Sequence, residues 1–148
     1  MPIATDAPIG MAMRFAVTID DGQYNLESWS EAKGLEVSWD LVEYRAGDHR
    51  NDRWFFPGLT KYPTIKLVRA ATIEGTEAVK KWLNSNSFTH KAQSGSIVLK
   101  DAHLTEVSKW DLRQVIPVKW SVSGFDATSS KVALETLELA HLGFLTED

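Results

Sequence analysis

The amino-acid sequence predicts a mainly β fold with one α-helix, arranged as a closed or nearly closed antiparallel barrel or as two packed sheets. Apolar and polar residues alternate in about seven or eight short segments, which is the period of strands that bury one face. A helical period is convincing only between residues 72 and 86. Turn-forming Gly, Asp and Ser residues separate several of the segments, as in sheets built from hairpins.

The chain length predicts one domain preceded by a short lead. With 148 residues, 43% of them hydrophobic and 24% charged, the sequence has the size and composition of one globular domain with a substantial core. Residues 1–12 contain Pro2, Pro8 and Gly10, which interrupt regular structure. We therefore expect a flexible or partner-ordered lead over residues 1–12 and a single domain over residues 13–148.

Strand patterns occupy both ends of this domain. Residues 13–19 and 24–29 alternate as two strands, and the DDG run between them has the chemistry of a tight turn. Pro117 cannot donate a hydrogen bond to a neighbouring strand, so it predicts an edge position or a bulge. Further strands are predicted at residues 96–100, 104–116 (one strand or two), 118–122 and 132–141.

The helix is predicted to pack on the sheet. Val79, Trp82 and Leu83 fall at positions i, i+3 and i+4, so they share one face. An apolar stripe of this kind is typical of a core face and not of a ligand site. The six tryptophans are spread along the chain, so we expect most of them in the core and one or two at an interface.

The longest predicted element runs from residue 35 to residue 69. Residues 35–41 alternate as a strand with one buried face, and the alternation changes phase near Val42, which indicates a bulge or a departure from the sheet. A charged segment over residues 45–53 follows, and the WFF triplet at 54–56 comes next, before a Pro-Gly pair. The return strand is predicted at residues 64–69.

A connection of this length between two strands needs an explanation, because hairpin loops typically have about two to five residues. The aromatic triplet would expose an apolar patch of the kind that marks an interaction site. The flanking Arg and Asp residues would be costly to bury without partners. The segment is therefore interpreted as an arm that packs against another protein chain, with a flap over the end of its own barrel as the alternative.

Composition excludes several classes of protein. The net charge of −4 argues against a protein that binds nucleic acid by neutralising phosphates. The absence of cysteine excludes disulfides, thiolate metal sites and cysteine nucleophiles. No apolar run approaches the roughly 20 residues of a membrane span, and residues 1–10 lack the pattern of a signal peptide, so we expect a soluble chain.

Motifs for catalysis or metal binding are missing from the sequence. The four histidines are scattered without metal-ligand spacing, which predicts surface or interface roles for His49, His90, His103 and His141. Carboxylates alternate with apolar residues as on a solvated strand face, at Glu27, Glu36, Glu43, Glu106, Glu135 and Glu138. Such a face lies toward bulk water or toward a lumen, and the pattern is the same for both. No enzyme, metal or cofactor is predicted.

Motifs along the whole chain resemble one family. They are GLE at 34–36, EYR at 43–45 followed by Gly47, PGLTKY at 57–62, Leu67 with Arg69, GSIVL at 95–99, PVKW at 117–120 and LETLELAH at 134–141. In this order they are similar to motifs of the tail-tube proteins of contractile phages and of the inner-tube proteins of phage-tail-like contractile injection systems. The resemblance extends over residues 13–145.

The resemblance implies a tail-tube type of β-barrel with one helix and a long inter-subunit β-hairpin arm. Six such subunits would form a ring whose sheets join into a continuous lining, and rings would stack into a rigid tube. The implied partners are other copies of the chain, a contractile sheath protein, baseplate or hub and terminator proteins, and cargo in the lumen, either a protein effector or DNA. Direct anchoring in a membrane is not implied.

The resemblance also implies where the protein assembles and which residues form the interface between subunits. Assembly would occur in the cytoplasm, and the protein would then be part of a phage-tail-like particle or a virion tail. The terminal strand would complete the barrel or lie beside a neighbour. The arm would reach the neighbouring subunit or the next ring, and the predicted interface residues are Tyr44, Arg45, Asp48, Arg50, Asp52, Arg53, Trp54, Phe55, Phe56, Pro57, Lys61 and Tyr62.

Three functions follow from these patterns. The first is a structural protomer of the inner tube of a contractile injection system, with the tail tube of a contractile phage as a close alternative. The second is a monomeric barrel that binds a small apolar ligand, with the segment at residues 45–58 as its lid. The third is a secreted enzyme or toxin that uses a carboxylate pair, which the missing motifs disfavour.

Overall fold

The structure is a computed structural model that describes residues 13–45, 53–86, 93–123 and 133–146. The mainly β fold with one helix is confirmed over these ranges, while the predicted lead at residues 1–12 lies outside them. The elements are β1 (Arg14–Ile19), β2 (Tyr24–Trp29), β3 (Glu31–Lys33), β4 (Ser38–Arg45), β5 (Arg53–Lys61), β6 (Ile65–Ala70), α1 (Ile73–Asn86), β7 (Gln93–Lys100), β8 (Glu106–Val122) and β9 (Leu134–Ala140).

Seven strands form one antiparallel sheet in the order β2-β1-β7-β8-β9-β6-β3, and β4 pairs with β5 as a separate hairpin. The outermost strands, β2 and β3, follow each other in the chain, so the sheet curls until its two edges approach. Ser30 lies between them, and its backbone N–H and its Oγ both donate to the carbonyl oxygen of Val68, at 3.1 and 2.9 Å. The sheet is nearly closed and not a closed barrel, because no ladder joins β2 to β3 among the described strands.

One face of the sheet and the helix enclose the core. Val79 and Trp82 of α1 are fully buried, and Leu83 packs against them, which confirms the predicted helix face. In the part of the chain that the structure describes, no helix is long and apolar enough to cross a membrane. The buried apolar residues are Val17, Ile19, Leu26, Trp29, Ile65, Leu67, Val79, Trp82, Ile97, Leu112, Val115, Leu137 and Leu139.

Strand β8 is one continuous strand where the sequence allowed two. Its first half pairs with β7 and its second half with β9, so it connects the two halves of the sheet. The strand bends at two irregular places. Gln114 has a φ of 49°, and the register shifts between Pro117 and Lys119, which confirms the bulge predicted for the proline.

The first hairpin agrees with its sequence pattern. Strands β1 and β2 pair antiparallel, and Asp20, Asp21 and Gly22 between them all adopt positive φ values of 58°, 54° and 90°. Asp and Gly tolerate this region of backbone conformation better than most residues do. The backbone N–H of Gln23 donates to the carbonyl oxygen of Asp20 at 3.0 Å and closes the turn.

Glu135 is a correction to the predicted solvated face. Its side chain is fully buried and accepts from Arg69, whose Nε and Nη2 lie 2.8 and 2.7 Å from Oε1. Thr76 Oγ1 of α1 donates to the second carboxylate oxygen at 3.2 Å. The alternation of β9 puts Glu135 on the same face as Leu137 and Leu139, which is the buried face. The Arg69 cation compensates for the cost of burying the Glu135 carboxylate there.

Arg69 connects four elements through one guanidinium group. Besides Glu135 on β9, it donates to the carbonyl oxygen of Leu26 in β2 and to that of Gly75 in α1, both at 2.7 Å. Its guanidinium carbon lies 3.8 Å from the ring centre of Trp29, the distance of a cation–π contact. This buried cluster therefore fixes the helix to β2, β6 and β9.

Candidate assembly interface

The predicted long connection is a β-hairpin, which we call the arm and define as β4 and β5. The two strands pair antiparallel from Ser38 opposite Lys61 to Arg45 opposite Arg53. The aromatic triplet therefore lies within β5, a strand not predicted from the sequence, whereas the return strand predicted at residues 64–69 is confirmed as β6 (Ile65–Ala70). The register shifts between Trp39 and Leu41, close to the predicted bulge at Val42.

The prediction that β4 buries one face is wrong within a single subunit. Trp39 and Leu41 are 53% and 69% exposed, and Phe55 is 54% exposed on the opposite strand. Glu43 pairs directly with Phe55, and Leu41 with Pro57, so these residues lie on one face of the arm. That face is largely apolar and has no cover among the described residues.

The other face of the arm is apolar as well. Val42 pairs with Phe56, and the two side chains are 49% and 51% exposed. Gly58 lies beside them in close contact, since a Cβ there would be 2.8 Å from the carbonyl oxygen of Asp40. A side chain at position 58 would push the two strands apart, so the glycine is required by the packing of the arm.

An arm with two exposed apolar faces differs from a flap on its own barrel. A flap would bury one face against the core that it covers, whereas apolar residues on both faces here are half exposed or more. Contiguous apolar surface of this kind marks a site that another protein covers. The sequence signal for it was the pair Leu41 and Val42, adjacent apolar residues that cannot lie on the same face of a strand.

The structure describes only some of the predicted interface residues. Phe55, Phe56 and Pro57 are exposed in β5, and Lys61 is exposed and bound to Asp40 at 2.8 Å. Asp48, Arg50 and Asp52 lie outside the described residues. The backbones of the remaining strand residues pair within the arm, while the structure does not describe their side chains; these are Tyr44, Arg45, Arg53 and Trp54.

The last predicted interface residue, Tyr62, belongs to the base of the arm. Its ring centre lies 5.3 Å from that of His141 and 5.2 Å from that of Phe144. Gly143 contacts the same tyrosine ring so closely that any Cβ would collide with it, and its φ of 129° excludes most other residues. Tyr62 thus attaches the arm to the C-terminal segment of its own subunit.

The two ends of the arm also meet at its base. Gly34 has a φ of 92°, and a Cβ at this position would collide with the carbonyl oxygen of Thr64. The segments that enter and leave the arm therefore contact each other closely, which is possible because residue 34 has no side chain.

His141 corrects the prediction that all four histidines lie at a surface or an interface. It is buried beside Tyr62, and its Nδ1 accepts from the backbone N–H of Gly143 at 3.0 Å. His103 is exposed, and His49 and His90 lie outside the described residues. Desolvation lowers the pKa of His141 from its ordinary 6.5, the nearby Pro63 backbone opposes this, and the Arg113 charge lowers the pKa further.

The lowered pKa of His141 predicts a loss of stability in acid. The unfolded chain binds a proton near pH 6.5 that the folded chain resists, so the free energy of unfolding should fall as the pH drops from about 6.5. One proton contributes at most about 1.4 kcal/mol per pH unit. Urea unfolding at pH 7.5 and 5.5 would measure the effect, and His141→Gln should reduce it. An identical pH dependence in both proteins would contradict this role.

No group of three or more metal-ligating side chains is found within the described ranges. The geometry described so far is that of a sheet-and-helix domain with a projecting arm whose exposed faces are apolar. These features define a class of protein, namely a β-rich domain with a projecting hairpin that exposes apolar side chains on both faces.

Comparison with known proteins identifies the family. The chain belongs to the family described as T4-like virus tail tube protein gp19, whose family model matches residues 11–145. It is a family of structural tube proteins. The residues matched include the arm, the seven-stranded sheet and the helix. A comparison with curated protein sequences finds no significant match.

Solved structures similar to this chain come from contractile injection systems. A chain in the PVC sheath-tube complex of an extracellular contractile injection system is 26% identical, with a TM-score of 0.71 over 94% of this chain and 90% of that chain. A chain in the tube-terminating cap of the anti-feeding prophage is 27% identical, with a TM-score of 0.69 over 94% and 93%. The similarity therefore covers nearly the whole length of this chain and of each similar chain.

Proposed function

We propose that this chain is the protomer of the rigid inner tube of a contractile injection system. Hexameric rings of the protein stack inside a contractile sheath, and contraction drives the tube and its cargo through a target envelope. The observation that carries this proposal is the arm, which is apolar on both faces and, among the described strands, pairs with none of the seven-stranded sheet. In a single subunit the arm exposes apolar side chains to water, and other copies that cover the arm would remove this cost.

Both faces of the arm need a cover, which favours a polymer over a simple dimer. A single flat partner surface would bury the face with Leu41 and Phe55 or the face with Val42 and Phe56, but not both. An arm enclosed between neighbours in a ring, or between a ring and the next one, buries both at once. The proposed interface therefore keeps the residues predicted from the sequence and adds Trp39, Leu41, Val42 and Leu59.

The similar structures support an injection system over a phage tail. The similar chains at 26–27% identity belong to an extracellular contractile injection system and to the anti-feeding prophage. These assemblies contain a sheath, a terminator and a cap, which supports a sheath protein and a terminator as partners of this chain. A baseplate or hub protein belongs to the same proposal. Assembly in the cytoplasm and later residence in a phage-tail-like particle belong to the same proposal, as does protein or DNA cargo in the lumen.

A barrel that binds a small apolar ligand would need a cavity inside the sheet, but in this protein side chains fill that space. The inner face of the sheet is filled by tightly packed aliphatic residues together with Trp29 and Trp82, which are fully buried. The segment proposed as its lid is the arm, whose described side chains point into solvent instead of into the sheet. The observations therefore favour assembly.

Electron microscopy of the purified protein tests this function directly. We expect rings or hollow rods in negative stain, and light scattering should show a mass that rises with concentration. A strict monomer at every concentration, with no rings or rods, would contradict the self-assembling tube.

A further inference from the structure

His141 joins the base of the arm to the C-terminal segment, which we define as residues 141–146. The histidine is 9% exposed, and its ring lies 5.3 Å from that of Tyr62 and 6.2 Å from that of Phe144, measured between centres. Tyr62 is the first residue after β5, so this contact holds the arm at the point where its second strand ends.

The hydrogen bond of His141 requires an uncharged ring. Its Nδ1 accepts from the backbone N–H of Gly143 at 3.0 Å, so the neutral imidazole carries its proton on Nε2. A second proton would bind Nδ1, and two N–H groups would then face each other. The closed arrangement of the segment is therefore compatible only with the neutral form of the histidine.

Backbone hydrogen bonds pair the same segment with β8. The N–H of Leu142 donates to the carbonyl oxygen of Arg113 at 2.8 Å, and the N–H of Arg113 donates to that of Gly143 at 3.0 Å. Gly143 thus donates to His141 and accepts from β8. Loss of the bond to His141 would free the residue through which the segment is paired with β8.

A crevice of about 420 Å³ lies beside the ring, between the base of the arm and the C-terminal segment. Its ionisable side chains are the Tyr62 phenol from the arm, the Arg113 guanidinium from β8 and His141 itself, and no carboxylate lines it within the described residues. A charged imidazole would therefore face a second cation. Burial and the Arg113 charge lower the pKa of His141, and the Pro63 backbone opposes this only in part.

We propose that His141 is an acid-sensitive latch between the C-terminal segment, β8 and the base of the arm. When Nδ1 takes up a proton from solution, the Gly143 N–H loses its acceptor and the charged ring leaves its buried position. The segment then opens from β8 and from Tyr62 while the seven-stranded sheet stays folded. The latch is a property of a single subunit, so it goes beyond the proposed function and does not depend on it.

Hydrogen exchange of the full chain, at a concentration below that of assembly, measures the latch directly. Between pH 7.5 and 5.5 we expect the protection of residues 141–146, corrected for intrinsic exchange, to fall by up to about tenfold. The reason is that an opened imidazole binds protons with its ordinary pKa of 6.5, whereas the closed ring resists them. Unchanged protection of this segment over the same range would overturn the proposal.

Urea distinguishes opening of the latch from unfolding of the whole subunit. A local opening exposes little surface, so exchange of residues 141–146 should hardly change between 0 and 1 M urea, at either pH. Exchange in β7 requires a larger unfolding event and should become faster as urea is added. The same urea dependence for both regions would show that the segment opens only when the subunit unfolds, and would overturn the latch.

Two asparagine variants assign the pH dependence to one ring. His141→Asn offers an oxygen near the position of Nδ1 and binds no proton in this range, so the segment should keep equal protection at both pH values. His103→Asn changes an exposed histidine in the turn between β7 and β8 and should retain the full decrease. A decrease that persists in His141→Asn, or disappears in His103→Asn, would overturn the assignment. The result for the unchanged chain stands even if His141→Asn fails to fold.

Discussion

Replacing Phe55 and Phe56 with serine is expected to leave the seven-stranded domain folded and to stop tube formation. The two rings lie on opposite faces of the arm and are 54% and 51% exposed, so the unassembled subunit loses little by their removal. In the tube, interface anchors of this type contribute about 2 kcal/mol each, equivalent to roughly 30-fold in affinity. Circular dichroism would confirm the fold, and negative-stain microscopy would measure assembly.

The control for this change removes exposed apolar side chains elsewhere. Ile73→Ser with Val107→Ser alters residues that are 86% and 41% exposed, at the start of the helix and on β8. We expect this protein to form tubes at nearly normal concentrations. Full-length tubes from the Phe55 and Phe56 variant, or equal loss in the control, would refute a special role for the arm. The sequence suggested extending the change to Trp54, and the same outcome is expected.

Arg69→Met should produce the largest loss of subunit stability. The change leaves the fully buried Glu135 without its cation and also removes donors from two backbone carbonyls. Breaking a buried ion pair from one side typically costs about 3–5 kcal/mol. Urea unfolding would measure the loss in the Phe55→Ser/Phe56→Ser background, where assembly does not add to the apparent stability.

Two further variants show whether the stability loss comes from leaving a buried carboxylate unpaired or from the loss of any charged side chain. Arg69→Met with Glu135→Leu removes both charges, and it should recover part of the stability because no buried carboxylate stays unpaired. Lys61→Met breaks the pair between Lys61 and Asp40, whose side chains are 60% and 47% exposed, and should cost at most about 1 kcal/mol. A similar loss of unfolding free energy for Arg69→Met and Lys61→Met would contradict the conclusion that Arg69 fixes the helix to the sheet.

The predicted strands and helix agree with the structure where local pattern and burial coincide. Strand β2 has the predicted bounds, and the helical face with Val79 and Trp82 packs on the core as expected. The bulge at Pro117 follows from its missing N–H group, a property of the residue itself. These features could be read from the sequence because they depend on neighbours within one segment.

Two of the errors concern residues whose cover comes from distant parts of the chain, namely Glu135 and His141. The alternation of β9 correctly indicates that Glu135 shares a face with Leu137 and Leu139. Only the fold brings Arg69 to the Glu135 carboxylate and so permits that carboxylate to be buried. His141 is buried for a similar reason, since Tyr62 at the base of the arm packs against it. The aromatic residues at 54–56 were assigned to a loop because charges and Pro57 obscured the period of β5.

The sequence by itself determined the class of fold, the position of the helix, the family resemblance and the presence of an aromatic segment in need of a partner. Only the tertiary structure decided that this segment is a hairpin with two exposed faces, and that the polar face of β9 carries Glu138 and not Glu135. Periodicity determines which residues share a face, whereas the packing of distant elements determines what covers that face.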